Sequence, residues 1–161
     1  MSSLYPDNKN IIEVVEIYSD LLLRVAYTYM KNISDAEDIV QDVYIKLIRD
    51  YPSFKSEEHR KAWLIRVAIN LCKNRLKSAW FRKNEPIYDN LSFTQEENYV
   101  MKAVMELPSK YRSVILLYYH EGYSIKEISY ILDIKESTIS SQLQRARKIL
   151  KSKLKEDFDY E

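Results

Sequence analysis

The sequence predicts an all-α protein made of two small helical domains, a three-helix bundle followed by a helix-turn-helix. Its 161 residues include one glycine and four prolines, whereas β-rich folds and Gly-rich phosphate loops need many turns with positive φ. Apolar residues recur every three or four positions along most of the chain, the spacing of one helical face. This periodicity fails near residues 84–94. We therefore expect domains over 1–83 and 95–161, joined by a short linker at 84–94.

Three amphipathic helices account for the first domain. The first runs from Ile11 to Met30, with a continuous apolar stripe. Ser34 and Glu37 form a capping-box pattern that predicts the start of the second helix, and Pro52 ends it. The third is predicted from about Glu57 to Arg82. Three helices of this length suffice for one small bundle.

The second domain opens with another capping-box pattern, at Thr94 and Glu97, which starts a helix reaching about Glu106. Pro108 is expected in the first turn of the next helix, where its missing amide proton costs nothing. That helix continues to His120, and Gly122 follows at the position where helices commonly end in a left-handed residue.

A helix-turn-helix completes the chain. Ser124 and Glu127 form a third capping-box pattern ahead of a short apolar helix. The segment Asp133-Ile134-Lys135 forms the turn, and a long helix follows from about Glu136. In such units the second helix enters the major groove of DNA by its first residues.

Charge is distributed in blocks, although the net charge is only +1. Residues 1–50 carry nine acidic and five basic groups, whereas residues 51–85 carry three acidic and nine basic groups. A second basic tract lies near the carboxyl end. Two basic tracts can meet a polyanion at two places, and the acidic stretch can meet a basic protein surface.

Composition also bears on metals, compartment and membranes. One cysteine and two histidines cannot supply a structural zinc site or an internal disulfide, so we expect no metal or cofactor and a reducing, cytoplasmic location. No apolar run reaches spanning length, which predicts no membrane insertion.

Two pairs of sequence strings resemble the extracytoplasmic-function (ECF) group of bacterial sigma factors. DAEDIVQDVYIKL (35–47) and WLIRVAINLCKNRL (63–76) resemble sigma region 2. LPSKYRSVILLYYHEGYSIKEISYIL (107–132) and TISSQLQRARKIL (138–150) resemble region 4. The resemblance implies a protein with no catalytic activity that binds core RNA polymerase and directs promoter-specific transcription initiation. It also implies that an anti-sigma factor is a partner.

The resemblance assigns polymerase binding to Asp38, Gln41 and Asp42, which would contact the clamp coiled coil of the largest polymerase subunit. Their spacing of three and four places them together on one helical face, and we call these three residues the acidic ridge. Asp35 and Glu37 lie earlier in the helix, and we interpret them as favouring its amino terminus.

The loop before the third helix and the helix itself match the family positions that open the −10 promoter element and hold a flipped base. Cations would bind the exposed phosphates and polar groups the base. The matching positions are Lys55, His59, Trp63, Arg66, Asn70, Lys73, Arg75 and Lys77. Trp63 could also be a core residue, because large aromatic side chains on an apolar stripe usually pack inward.

The last helix would read the duplex −35 element. The matching positions are Ser137, Thr138, Ser140, Ser141, Gln142, Arg145 and Lys148. Ser140 and Gln142 stand where the commoner family pattern has basic residues, so the resemblance does not specify the −35 sequence.

Two other functions remain open from the residues alone. A stand-alone helix-turn-helix regulator would be a dimer on a palindromic operator, and the acidic ridge argues against it. An enzyme acting on nucleic acid would need a carboxylate set for a metal or an activated nucleophile. Asp38 and Asp42 lie without a nearby histidine, which disfavours that class.

Overall fold

The structure, a computed structural model, describes residues 8–78 and 95–158 and contains no strand within them. The linker expected at 84–94, the helix end expected at Arg82 and the capping residue Thr94 lie outside these ranges. The helices are α1 (Asn8–Met30), α2 (Ile33–Asp50), α3 (Glu57–Ser78), α4 (Gln95–Met105), α5 (Ser109–Ile115), α6 (Ile125–Leu132) and α7 (Glu136–Phe158). The chain divides into two compact units, α1–α3 and α4–α7. The predicted all-α fold is confirmed.

The amino-terminal unit is a three-helix bundle in which each helix contacts the other two. Leu22, Ile39 and Leu64 are fully or almost fully buried, one from each helix. Burying such a side chain contributes about 1.5–3 kcal/mol. Cys72 also lies in this core, where burial raises the pKa of its thiol to about 12. The periodicity overestimates the core at its edges, because Val15 and Ile48 are exposed.

The start of α2 differs from the sequence expectation. Asn32, not Ser34, caps the helix. The Asn32 side-chain oxygen accepts a hydrogen bond from the Asp35 amide at 2.8 Å, and its nitrogen donates to the Asp35 carboxylate at 2.7 Å. Lys31 ends α1 in a left-handed conformation and Asn32 is extended, so Ser34 already lies inside the next helix and cannot cap it.

The first half of the carboxy-terminal unit corrects one further expectation. Pro108 is the residue before α5, with an extended ψ of 144°, and not a residue of its first turn. The helix then continues as a π-helical turn over Leu116–His120. Gly122 follows with φ of 74°, as expected. Such π-helical turns are rare and are often associated with functional sites.

The helix-turn-helix is closed by local capping and a shared core. Both hydrogen bonds of the predicted capping box between Ser124 and Glu127 are present. Asp133 adopts the left-handed conformation at φ 55° that ends α6, one of the few non-glycine types that tolerate it. The Ser129 hydroxyl donates to the Ile134 carbonyl at 2.5 Å. Four almost completely buried side chains form the core between α6 and α7: Ile128, Ile131, Ile139 and Leu143.

Candidate functional surfaces

The acidic ridge is exposed along α2. Ile39 and Val43 turn into the core, which leaves Asp38, Gln41 and Asp42 on the solvent side of the same helix. Two carboxylates and an amide on one exposed face can accept hydrogen bonds from cationic side chains of a partner. The ridge is therefore available to a basic protein surface.

One end of the ridge is already paired within the unit. The Arg75 guanidinium of α3 lies 3.0 Å from the Asp35 carboxylate and 3.3 Å from that of Asp38. The sequence suggested only that Asp35 favours the start of α2. The structure shows that its carboxylate also forms an ion pair with Arg75. Its carboxylate also accepts a hydrogen bond from Asn32, so it joins the helix cap to Arg75.

Most of the predicted −10 residues share one face of α3. They lie at successive spacings of four, three, four, three and four: His59, Trp63, Arg66, Asn70, Lys73 and Lys77. At 3.6 residues per turn this pattern stays on one side of the helix, and we call these six residues the α3 stripe. Arg75 lies about 140° round the helix from Asn70. The structure therefore places Arg75 toward α2 and away from the stripe.

Aromatic contacts organise the first turns of the stripe. The Phe54 ring packs edge-on against Trp63 at 5.7 Å and against His59 at 5.4 Å between centroids. Trp63 is half-buried, so its exposure lies between that of a core residue and that of a side chain free to contact DNA, the two alternatives that the sequence left open. The exposed Lys55 donates its backbone amide to Nδ1 of His59 at 3.1 Å. These contacts fix the loop before α3 against the stripe.

A groove of about 630 Å³ adjoins this loop, bounded by the start of α1, the end of α2 and residues 51–57. Tyr18 donates a hydrogen bond to Glu57 at 2.5 Å, and Arg60 pairs with Glu57 at the same distance. Burial raises the pKa of Tyr18 to about 12, and the hydrogen bond to Glu57 adds to the shift. Burial opposes ionisation of Glu57, but the hydrogen bonds from Tyr18 and Arg60 outweigh it and lower its pKa.

The start of α7 presents small polar side chains. Ser137, Thr138 and Ser141 are exposed, and the same surface continues through the exposed Arg145 and Lys148. Ser140 and Gln142 border the core and are half-buried. Within the described residues, the Gln142 side-chain oxygen is buried without a hydrogen-bond partner, so it points away from solvent and away from any ligand outside.

Other cations of α7 are engaged inside the carboxy-terminal unit. The Arg147 guanidinium lies over the rings of Tyr118 and Tyr119, at 5.4 and 5.5 Å from their centroids, and donates to the Tyr119 hydroxyl. Lys153 pairs with Glu106 at 2.8 Å, and this contact lowers the pKa of Glu106. The basic tract read from the sequence thus includes two cations, Arg147 and Lys153, that contact the π-helical turn and Glu106, the residue after α4.

Comparison with known proteins gives two matches in the order of the two units. Residues 14–82 match Sigma-70 region 2, and residues 97–150 match Sigma-70 region 4. RNA polymerase sigma factor SigV of Bacillus subtilis is 31% identical and aligns with 83% of this chain and 85% of its own length. ECF RNA polymerase sigma factor SigW of the same organism is 27% identical over 93% of this chain and 91% of its own length. The chain belongs to the sigma-70 family, in its ECF group.

Solved structures share the fold of this sigma factor. The sigma factor RpoE of Bartonella quintana, solved with the anti-sigma factor NepR, superposes with a TM-score of 0.71 at 23% identity and covers 91% of this chain and 98% of its own. CnrH, solved with the cytosolic domain of CnrY, has the same TM-score at 21% identity, covering 94% and 91%. No helix in the described part of the sigma factor is long and apolar enough to cross a membrane.

Sequence reasoning missed the contacts that connect separate elements of the sigma factor. The pairing of Arg75 with Asp35 and Asp38 spans 37 to 40 positions, and the Tyr18 contact with Glu57 spans 39. Helical periodicity does not register partners at such separations. The position of Arg75 off the α3 stripe was the one available signal, because counting in steps of 100° already separates it from Asn70 and Lys73.

Proposed function

We propose that the chain binds core RNA polymerase through its region 2 and directs promoter-specific initiation by engaging DNA with both regions. The observation that carries the proposal is the conjunction of an exposed acidic ridge, an α3 stripe that is exposed at Asn70, Lys73 and Lys77, and a helix-turn-helix, in one chain with the regions in family order. The sigma factor would work in the cytoplasm and catalyse no reaction itself.

The acidic ridge would contact the basic clamp coiled coil of the largest polymerase subunit. The exposure of Asp38, Gln41 and Asp42 on one face of α2 supports this assignment. Charge-assisted hydrogen bonds from a basic helix to carboxylates are stronger than neutral ones. Complementary charge also speeds the encounter of two proteins.

The α3 stripe, with Lys55, would hold the opened −10 element. Strand separation exposes bases and phosphates together, and the stripe combines aromatic rings, an amide and cations along one line. The groove beside residues 51–57 offers a recess next to Phe54 and Lys55 for a base that leaves the stack. Arg75, committed to α2, contributes less to this surface than its sequence position suggests.

The first turns of α7 would enter the major groove at the −35 element. Ser137, Thr138 and Ser141 are short enough to let the helix approach base edges, while Arg145 and Lys148 can bind phosphates farther along. Ser140 and Gln142, being half-buried, would contribute less. An anti-sigma factor is a further proposed partner, since the Bartonella quintana relative of the same fold was solved with such an inhibitor.

Run-off transcription with core polymerase of the source bacterium tests the proposal directly. The wild-type chain should start specific transcripts from genomic promoters. Asp42→Lys should abolish them by opposing the basic clamp, while Glu16→Lys, the same charge reversal at an exposed position of α1, should not. Absence of any specific transcript contradicts the proposal. A stable free dimer on a palindromic operator would instead favour the stand-alone regulator.

A further inference from the structure

Asp38 and Asp42 lie one helical turn apart on the acidic ridge, yet their surroundings differ. Asp38 faces Arg75 at 3.3 Å, whereas no ion pair within the described residues involves the Asp42 side chain. Both are exposed. A basic partner that binds the ridge therefore meets one carboxylate that already has a cation and one that does not.

We infer that Arg75 is an intramolecular competitor for Asp38, so that polymerase binding must exchange one cation for another at that end of the ridge. The inference rests on the proposed function of the ridge and adds the regulation of its affinity. Arg75 is a positioning residue in this account. It acts on the ridge from α3 and contacts no polymerase group itself.

The geometry favours exchange over permanent pairing. Asp35 holds Arg75 at the shorter distance of 3.0 Å and is itself fixed by Asn32. Arg75 therefore keeps one carboxylate partner when Asp38 turns to another cation. Asp38 is the more exposed of the two carboxylates, 52% against 40%, which leaves its other lone pairs open to a partner. An exposed ion pair of this kind is weak and can be displaced.

Competition makes a specific prediction about which acid matters. Asp42→Asn should weaken binding to core polymerase about tenfold, because a charge pair across an interface is removed. Asp38→Asn should weaken it only about two- to threefold, because Arg75 already offsets part of that charge. Arg75→Gln should tighten binding about two- to fivefold, the range of an exposed pair, and in that background Asp38→Asn should cost as much as Asp42→Asn.

The measurement is a titration of the full-length chain, labelled at its amino terminus, with core polymerase, followed by fluorescence anisotropy at two salt concentrations. Arg75→Lys keeps a cation beside Asp35 and Asp38 and should resemble wild type. Lys126→Gln removes the same unit of charge from α6 and should also leave the affinity unchanged. Thermal unfolding of each variant shows whether the bundle remains folded.

The outcomes separate this inference from the proposed function. If Asp38→Asn and Asp42→Asn cost the same and Arg75→Gln is neutral or weakens binding, the competition is wrong while the ridge remains the polymerase contact. If neither acid affects the affinity, the ridge is not the contact and the proposed function of region 2 fails with it. A non-additive pair of Asp38 and Arg75, with Asp42 independent of Arg75, supports the inference.

Discussion

The two candidate DNA-binding surfaces of this sigma factor differ in the side chains that they present. The α3 stripe of region 2 carries aromatic, amide and long cationic groups. The start of α7 in region 4 carries hydroxyl groups, and its cations come later. Long side chains can follow an irregular single strand, whereas short ones let a helix approach the floor of a regular groove. Under the proposed function, the two helices would therefore bind different forms of DNA.

The largest expected effect comes from the core under α7. Ile139 is fully buried in the first turns of that helix, and Ile139→Ala should destabilise region 4 by about 2–5 kcal/mol through the reduced packing and the cavity. Hydrogen exchange should then rise in α4–α7 alone. Leu64→Ala in region 2 should increase hydrogen exchange in α1–α3 alone. Faster exchange in both units after either substitution would contradict the division into two units.

The helix caps of α2 in one unit and α6 in the other should contribute less to stability than these core residues. Asn32→Ala and Ser124→Ala should each cost about 1 kcal/mol, because each leaves a helix amide without its acceptor. Ser34→Ala should stay within about 0.5 kcal/mol, because Ser34 is an exposed residue inside α2. Urea denaturation measures all three. A larger effect for Ser34 than for Asn32 would restore the cap read from the sequence.

The two surfaces should also differ in how salt affects them. Removing one cation that binds a phosphate lowers the slope of log affinity against log salt by about 0.9 on duplex DNA and about 0.7 on single strands. Lys148→Gln should therefore reduce the slope of the holoenzyme on a −35 duplex, and Lys73→Gln the slope on the opened −10 strand. Each variant serves as the control for the other on the opposite DNA form.

The smallest effect concerns acid stability in region 2. Because hydrogen bonds from Tyr18 and Arg60 lower the pKa of Glu57 below 4.5, the folded state gains stability from its ionisation above pH 4.5 and loses that gain as the pH falls through the lowered value. Glu57→Gln should reduce this acid-dependent loss of stability by less than about 1 kcal/mol, since the group is well exposed. Thermal melting between pH 5 and pH 3 measures this loss. Glu106→Gln should likewise reduce the acid-dependent loss of stability of region 4.

Local chemistry explains why much of this fold could be predicted from the sequence. The helical period, the capping box at Ser124, the turn at Asp133 and the position of Gly122 depend on neighbours within a few residues, and the structure contains all of them. Asn32 shows where local reasoning fails. Two possible caps lie two positions apart, and the left-handed backbone at Lys31 decides between them.

For the candidate surfaces, the sequence predicted which side of each helix is exposed but not which partners its side chains contact. Periodicity places Asp38, Asn70 and Ser141 on exposed sides of their helices, and the structure agrees. It does not reveal that Arg75 reaches α2 or that Arg147 packs on two tyrosine rings. Those interactions depend on how helices pack in three dimensions. The presence of a basic residue in a candidate DNA-binding helix is therefore weaker evidence for DNA binding than the direction in which its side chain points.

The buried thiol in the middle of α3 has a practical consequence. Cys72 is the only cysteine in the sequence, and burial raises its pKa to about 12, so almost none of it is present as the reactive thiolate near neutral pH. A cysteine introduced on either helical surface would be the one reactive site for a maleimide dye. Fluorophores for distance measurements in the transcription complex can thus be attached without removing the native sulfur.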